Sequence, residues 1–78
     1  MTDMLKMYTI YKNPLDYPKD FVVRRHLVSG KGSIPDLTWY FIKDTLDDAR
    51  SELARRVPGL MSLGREAQDE PQIVESWV

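Results

Sequence analysis

The sequence predicts one α+β domain: an antiparallel sheet of four or five strands, ordered β-β-β-α-(β)-β, with one helix packed on one face. Three observations point there. Seven of the eight aromatic residues lie before Ile42 and the eighth is Trp77, next to the end, and aromatic side chains favour strands. The stretch between Leu46 and Val57 instead repeats its apolar residues at helical spacing. The first three apolar segments are joined by short connections, which makes consecutive strands neighbours in an antiparallel meander.

Leu5 to Lys12 alternates Leu5, Met7, Thr9 and Tyr11 with Lys6, Tyr8, Ile10 and Lys12, the period of a strand. Asn13 to Asp20 holds Pro14, Pro18, Asn13, Asp16 and Asp20. Proline removes a ladder donor and fixes φ, so this stretch is a connection. Phe21 to Ser29 alternates again and forms the second strand. Ser29 to Asp36, with Gly30 and Gly32, reads as a turn, and Leu37 to Lys43 as the third strand. Thr45 followed by Asp48 resembles a capping box with Asp in place of Glu. Leu46, Ala49, Leu53 and Val57 then form one apolar stripe. Asp47 and Asp48 open the helix, Arg55 and Arg56 close it in keeping with the macrodipole, and Pro58-Gly59 stops it. Leu60-Met61-Ser62-Leu63 fits either a short edge strand or an irregular apolar plug. Gly64 to Pro71 is polar and reads as a loop, and Gln72 to Val78 as the closing strand.

Composition bounds the function. With 78 residues the expectation is a single domain spanning 1–78 with a thin core. Eleven basic residues against twelve acidic ones leave a net charge of −1, without the basic excess of a protein that coats duplex nucleic acid. There is no cysteine, which excludes disulfides, thiolate zinc sites and thiol catalysis. No apolar run approaches the roughly 20 residues of a membrane span. Met1-Thr2-Asp3-Met4 lacks a basic segment followed by an apolar one, so no secretory leader is expected and the cytoplasm is the expected compartment.

Motifs for chemistry are sparse. His26 is the only histidine and has no local Cys, His or Ser partner, whereas general acid–base work needs positioned partners. Asp47 and Asp48 point in different directions from a helix, and their place in its first turn accounts for them. Gly30-Lys31-Gly32-Ser33 lacks the four-residue spacing of a phosphate loop and leads to a strand. No catalytic, cofactor or metal site is therefore expected.

Apolar side chains on both sheet faces exceed what one narrow helix stripe can cover. Two arrangements meet that surplus: a second copy or another protein on the open face, or the Asn13–Asp20 and Gly64–Pro71 segments folded over it. Charge is also uneven. Residues 1–43 carry seven basic and four acidic side chains, and residues 44–78 carry four and eight. The positive side gathers at Lys19, Arg24, Arg25, His26 and Lys31. Such a strip near Tyr40 suits an acidic protein surface, a single-stranded nucleic acid or a charge-guarded edge, and the acidic balance of the chain argues against direct nucleic-acid binding. Arg24, Arg25, His26, Lys31 and Tyr40 are the candidate partner contacts, being of basic and aromatic types.

The segment Met7-Tyr8-Thr9-Ile10-Tyr11-Lys12-Asn13-Pro14-Leu15-Asp16-Tyr17-Pro18-Lys19-Asp20-Phe21-Val22-Val23-Arg24 and the ending Pro71-Gln72-Ile73-Val74-Glu75-Ser76-Trp77 resemble those of short phage and mobile-element proteins, a group similar to small type I-C anti-CRISPR proteins. The resemblance implies a non-enzymatic inhibitor that binds a subunit of a type I CRISPR effector complex in the bacterial host cell. It covers roughly a third of the chain, omits the helix and carries no binding residues over. The alternative is a small phage or bacterial structural protein that acts by self-association, for instance as a homodimer.

Overall fold

A computed structural model describes residues 4–64 and 72–78. Its elements are β1 (Leu5–Lys12), β2 (Phe21–Ser29), β3 (Gly32–Lys43), α1 (Leu46–Arg56), β4 (Ser62–Gly64) and β5 (Ile73–Trp77). They form one antiparallel five-stranded sheet of order β3-β2-β1-β5-β4, the α+β architecture expected from the aromatic distribution and the single helical stripe. The expected loop over Gly64–Pro71 lies outside the described residues, apart from Gly64, which ends β4.

β1 and β2 pair without a slip from Leu5↔Val28 to Lys12↔Phe21. Asn13 starts their connection in the left-handed region, at φ 50, which Asn tolerates better than most residues. Two successive turns follow, Tyr17 N–H to Pro14 C=O and Asp20 N–H to Tyr17 C=O, and the Asn13 N–H closes the loop on the Asp20 carbonyl at 2.9 Å.

The second hairpin departs from expectation. β3 begins at Gly32, not Leu37, and only Gly30 and Lys31 separate it from Ser29. Gly32, at φ 123, meets the need for positive φ. Pro35 is accommodated because β3 is an edge strand, where a missing donor need not break a ladder. A bulge separates Arg24↔Tyr40 from Arg25↔Asp36, so Leu37, Thr38 and Trp39 have no opposite residue. Asp36 fixes it: its Oδ1 accepts from the Thr38 N–H (3.0 Å) and hydroxyl (2.6 Å), and its Oδ2 from Arg25 Nε (2.9 Å).

Helix α1 begins at Thr45, whose hydroxyl accepts from the Asp48 N–H at 3.1 Å, satisfying one of the orphan donors of the first turn. Its Ala49 and Leu53 pack with Tyr8, Ile10, Val23 and Phe41 into the core, flanked by Phe21, Trp39, Leu46, Val57, Leu60 and Trp77. Arg50 grips the buried Glu75 of β5 through two bonds, Nε to Oε1 at 2.8 Å and Nη2 to Oε2 at 3.1 Å. The helix is thereby held to both sides of the sheet centre. Leu60–Leu63 resolves as part of a connection and the three-residue edge strand β4. Met61 and Val78 exchange backbone bonds beside it at 2.7 and 2.9 Å.

Period two sends Thr9, Tyr11, Val22, Arg24, His26, Tyr40 and Ile42 to the other face. This face is neither uniformly greasy nor fully covered. The Asn13–Asp20 connection folds against part of it: Pro14 is buried and Asp16 pairs with Arg24. Val22, in the same region, is 0 % exposed. The rest stays open.

Candidate functional site

The open part of this face is a cleft of about 540 Å³, within the usual size range of ligand sites. β2 supplies its floor with Arg24 and His26, two residues apart and so on one face. Tyr40 of β3 lies directly opposite Arg24 in the register. Tyr11 of β1 leans along the sheet so that its hydroxyl meets His26 Nε2 at 3.2 Å, and the Arg24 guanidinium sits 5.2 Å from its ring centroid. The connection adds Asp16 and Tyr17, and the bulge adds Asp36 and Leu37. Leu37 is 84 % exposed and Tyr40 about half exposed, so the rim is apolar and open to solvent.

Electrostatically the cleft is close to neutral. Arg24 is bonded to Asp16, and Arg25 to Asp36. The Thr38 hydroxyl, and after it the Arg25 guanidinium, hold the Asp36 carboxyl at about 2, below its ordinary 3.8. The same carboxylate raises the pKa of Arg25 further. Burial, and secondly the Arg24 charge, push His26 below its ordinary 6.5, so it is neutral at pH 7.

Four of the five residues expected at a partner surface line one cleft: Arg24, Arg25, His26 and Tyr40. Arg24 and Arg25 reach it from opposite parities of β2: Arg25 bonds to Asp36 and its guanidinium lies 5.5 Å from the Trp39 ring. Lys31 sits in the exposed hairpin turn, away from the cleft. Its backbone N–H donates to Ser29 Oγ at 3.3 Å.

Sequence reasoning missed Tyr11, Asp16, Tyr17 and Asp36. For Asp36 a signal exists: Pro35-Asp36-Leu37-Thr38 has the Asp-x-Thr spacing of a side-chain-capped turn. For Asp16 and Tyr17 there is none, since their place depends on how the connection folds back. Among the described residues no group of three His, Cys, Asp or Glu side chains is placed to hold a metal, and no helix is long and apolar enough to cross a membrane. No known protein family matches the sequence, and no curated protein or solved structure is significantly similar to it.

Proposed function

We propose that this chain is a non-enzymatic binding protein that acts by occupying a surface of a partner protein with its open sheet face. The supporting observation is the cleft, where three tyrosines and an arginine converge on the side of the sheet that the helix leaves free. Tyr and Arg are the side chains that carry most binding energy in protein interfaces. His26 has a tyrosine hydroxyl and an arginine beside it, and no carboxylate orients its ring among the described residues, an arrangement that suits contact better than proton transfer. Edge-to-edge pairing through β3 is disfavoured, because Pro35 and the Leu37–Trp39 bulge interrupt that edge.

The resemblance of the first two strands and the last to those of small type I-C anti-CRISPR proteins supports, as that partner, a subunit of a type I CRISPR effector complex, inhibited by binding in the bacterial cytoplasm. The purified chain should co-elute with a type I-C effector complex and lower its affinity for target DNA, and Tyr40→Ala should weaken both effects at least tenfold. Passage of the chain through the column apart from the complex at micromolar concentration rejects this partner. A second reading, self-assembly, draws on the exposed Met61 and Leu63 beside the β4 edge. Under that reading, light scattering reports at least twice the 9.1 kDa chain mass, and a Met61→Lys, Leu63→Lys variant returns it to the single-chain value.

A further inference from the structure

We infer that a second interaction site, built from Lys43, Arg55 and Arg56 beside the last turns of α1, takes a pair of neighbouring carboxylates on an acidic segment of a partner protein. It lies on the helix side of the sheet and is independent of the open-face cleft. Charge is unbalanced there. Lys43 Nζ (3.7 Å), Arg56 Nε (2.6 Å) and Arg55 Nη2 all pair with Glu52, so three cations share one carboxylate and two positive charges are left over. The other arginines show no such surplus: Arg24 meets Asp16, Arg25 meets Asp36, and Arg50 meets both Glu75 and Asp47. The crowding of cations, Arg56 first and then Arg55 and Lys43, holds the Glu52 carboxyl below its ordinary 4.5.

Glu52 engages only Nε of Arg56 and Nη2 of Arg55, out of five N–H donors on each guanidinium. The remaining N–H groups can grip a further carboxylate through paired bonds. Arg56 is also held by ring contacts: its guanidinium lies 4.6 Å from the Phe41 centroid and 5.9 Å from that of Trp39, so less side-chain freedom is lost on binding. The site is open, with the Arg55 side chain 72 % exposed, whereas a small free anion needs enclosure. A long polyanion is disfavoured by the neighbourhood. Asp47 and Asp48 are exposed about 12 Å up the helix, at roughly 1.5 Å per residue, and the whole chain carries −1, so a phosphate backbone meets repulsion beyond its first contacts. Two carboxylates on a short acidic segment match the two uncompensated charges and reach no further.

The probe is acetyl-Gly-Glu-Glu-Gly amide, titrated into isotopically labelled protein at low salt and followed by backbone amide shifts. Acetyl-Gly-Gln-Gln-Gly amide is the control. Saturable shifts at Lys43, Arg55 and Arg56 at millimolar peptide, with Arg24, His26 and Tyr40 unmoved and no response to the control, are expected. Arg55→Ala and Arg56→Ala should each weaken binding about two- to fivefold, the range of one exposed ion pair, and the double variant should abolish it. Arg56→Lys, which keeps the charge and loses the fork, should recover only part of the loss. Lys31→Ala removes the same charge from the hairpin turn at the far end of β3 and should leave binding unchanged. Unmoved amides at Ile10 and Val23 verify that each variant is folded. No saturable shift at tens of millimolar peptide, equal shifts with the glutamine control, or a loss on Lys31→Ala as large as on Arg55→Ala overturns the proposal. So does tighter binding of oligo-dT or inorganic phosphate at the same amides. Shifts at Arg55 and Arg56 that change on dilution without peptide also overturn it, since these assign the site to a second copy. Failure here leaves the open-face cleft standing, and failure of the cleft leaves this site standing, because the two sets of amides are separate.

Discussion

Leu53→Ala tests the division of the sheet into a covered and an open face, on which the site depends. Leu53 is 2 % exposed and packs with Tyr8, Ile10, Val23, Phe41 and Ala49. Truncation removes three carbon groups, worth about 0.8 kcal/mol each in transfer. Adding the cavity left in a core that relaxes only partly brings the total to about 3 kcal/mol. A chain of 78 residues has about 4–12 kcal/mol of stability in all, and each kcal/mol is about 4–8 °C of Tm at this size. The variant should melt about 12–24 °C lower, by those figures. Trp39 and Trp77 both pack against the same cluster, so intrinsic fluorescence reports the transition in heat and in urea. Leu15→Ala is the control: Leu15 is 94 % exposed, and its loss should stay within about 0.5 kcal/mol. A Leu53→Ala penalty below about 1 kcal/mol, or one equal to that of Leu15→Ala, would mean that the helix does not seal this face. The cleft would then lose its claim to be on the free side.

The remaining expectations concern the cap and two titrations. Thr45→Ala removes the hydroxyl that holds the Asp48 N–H and should cost about 1 kcal/mol in urea unfolding, with Thr45→Ser restoring most of it. The native pKa of Asp36, about 2, lies below its ordinary 3.8. Its stabilisation is therefore complete above pH 3.8 and lost as pH falls towards 2. In Asp36→Asn that acid loss should shrink, and Thr38→Val should raise the Asp36 pKa read by carboxyl NMR. His26 is depressed below 6.5 in the folded chain, so below that pH the unfolded chain binds more protons and stability falls with acidification. The fall runs from about pH 6.5 down to the native pKa, and His26→Gln should flatten it in pH-dependent unfolding.

Local patterns carried most of the fold. β1 and β2 have the bounds their alternation predicts, because both strands are regular ladders with one residue per rung. The helix ends where its threonine, terminal arginines and Pro58-Gly59 place it. β3 was half legible. Gly32 and Pro35 argue locally for a turn, and only the partner strand β2, through pairs such as Leu27↔Ile34 and Ser29↔Gly32, holds those residues extended. This is tertiary pairing overriding propensity. β4 has three residues, too few for any period to show, and its existence rests on β5 being beside it.

The candidate site was legible in its basic and aromatic residues and not in their pairing. Arg24, His26 and Tyr40 share a face because strands alternate, and Arg25, of the other parity, reaches the same cleft beside Asp36. The carboxylates that neutralise them come from elsewhere: Asp16 lies eight residues before Arg24 and Asp36 eleven after Arg25. Neither pairing can be read from spacing, as one depends on the folded-back connection and the other on the bulge. Both change what the face can recognise. An unpaired Arg24-Arg25-His26 run would draw anions from a distance. Paired as they are, these residues leave the cleft near zero charge, with Arg24 and His26 against Tyr11, so selection of a partner falls to ring contacts and hydrogen bonds. Salt supplies the discriminating measurement. Binding carried by this cleft should change less than about threefold between 50 and 200 mM NaCl, whereas a face that neutralised several phosphates would lose orders of magnitude over the same range.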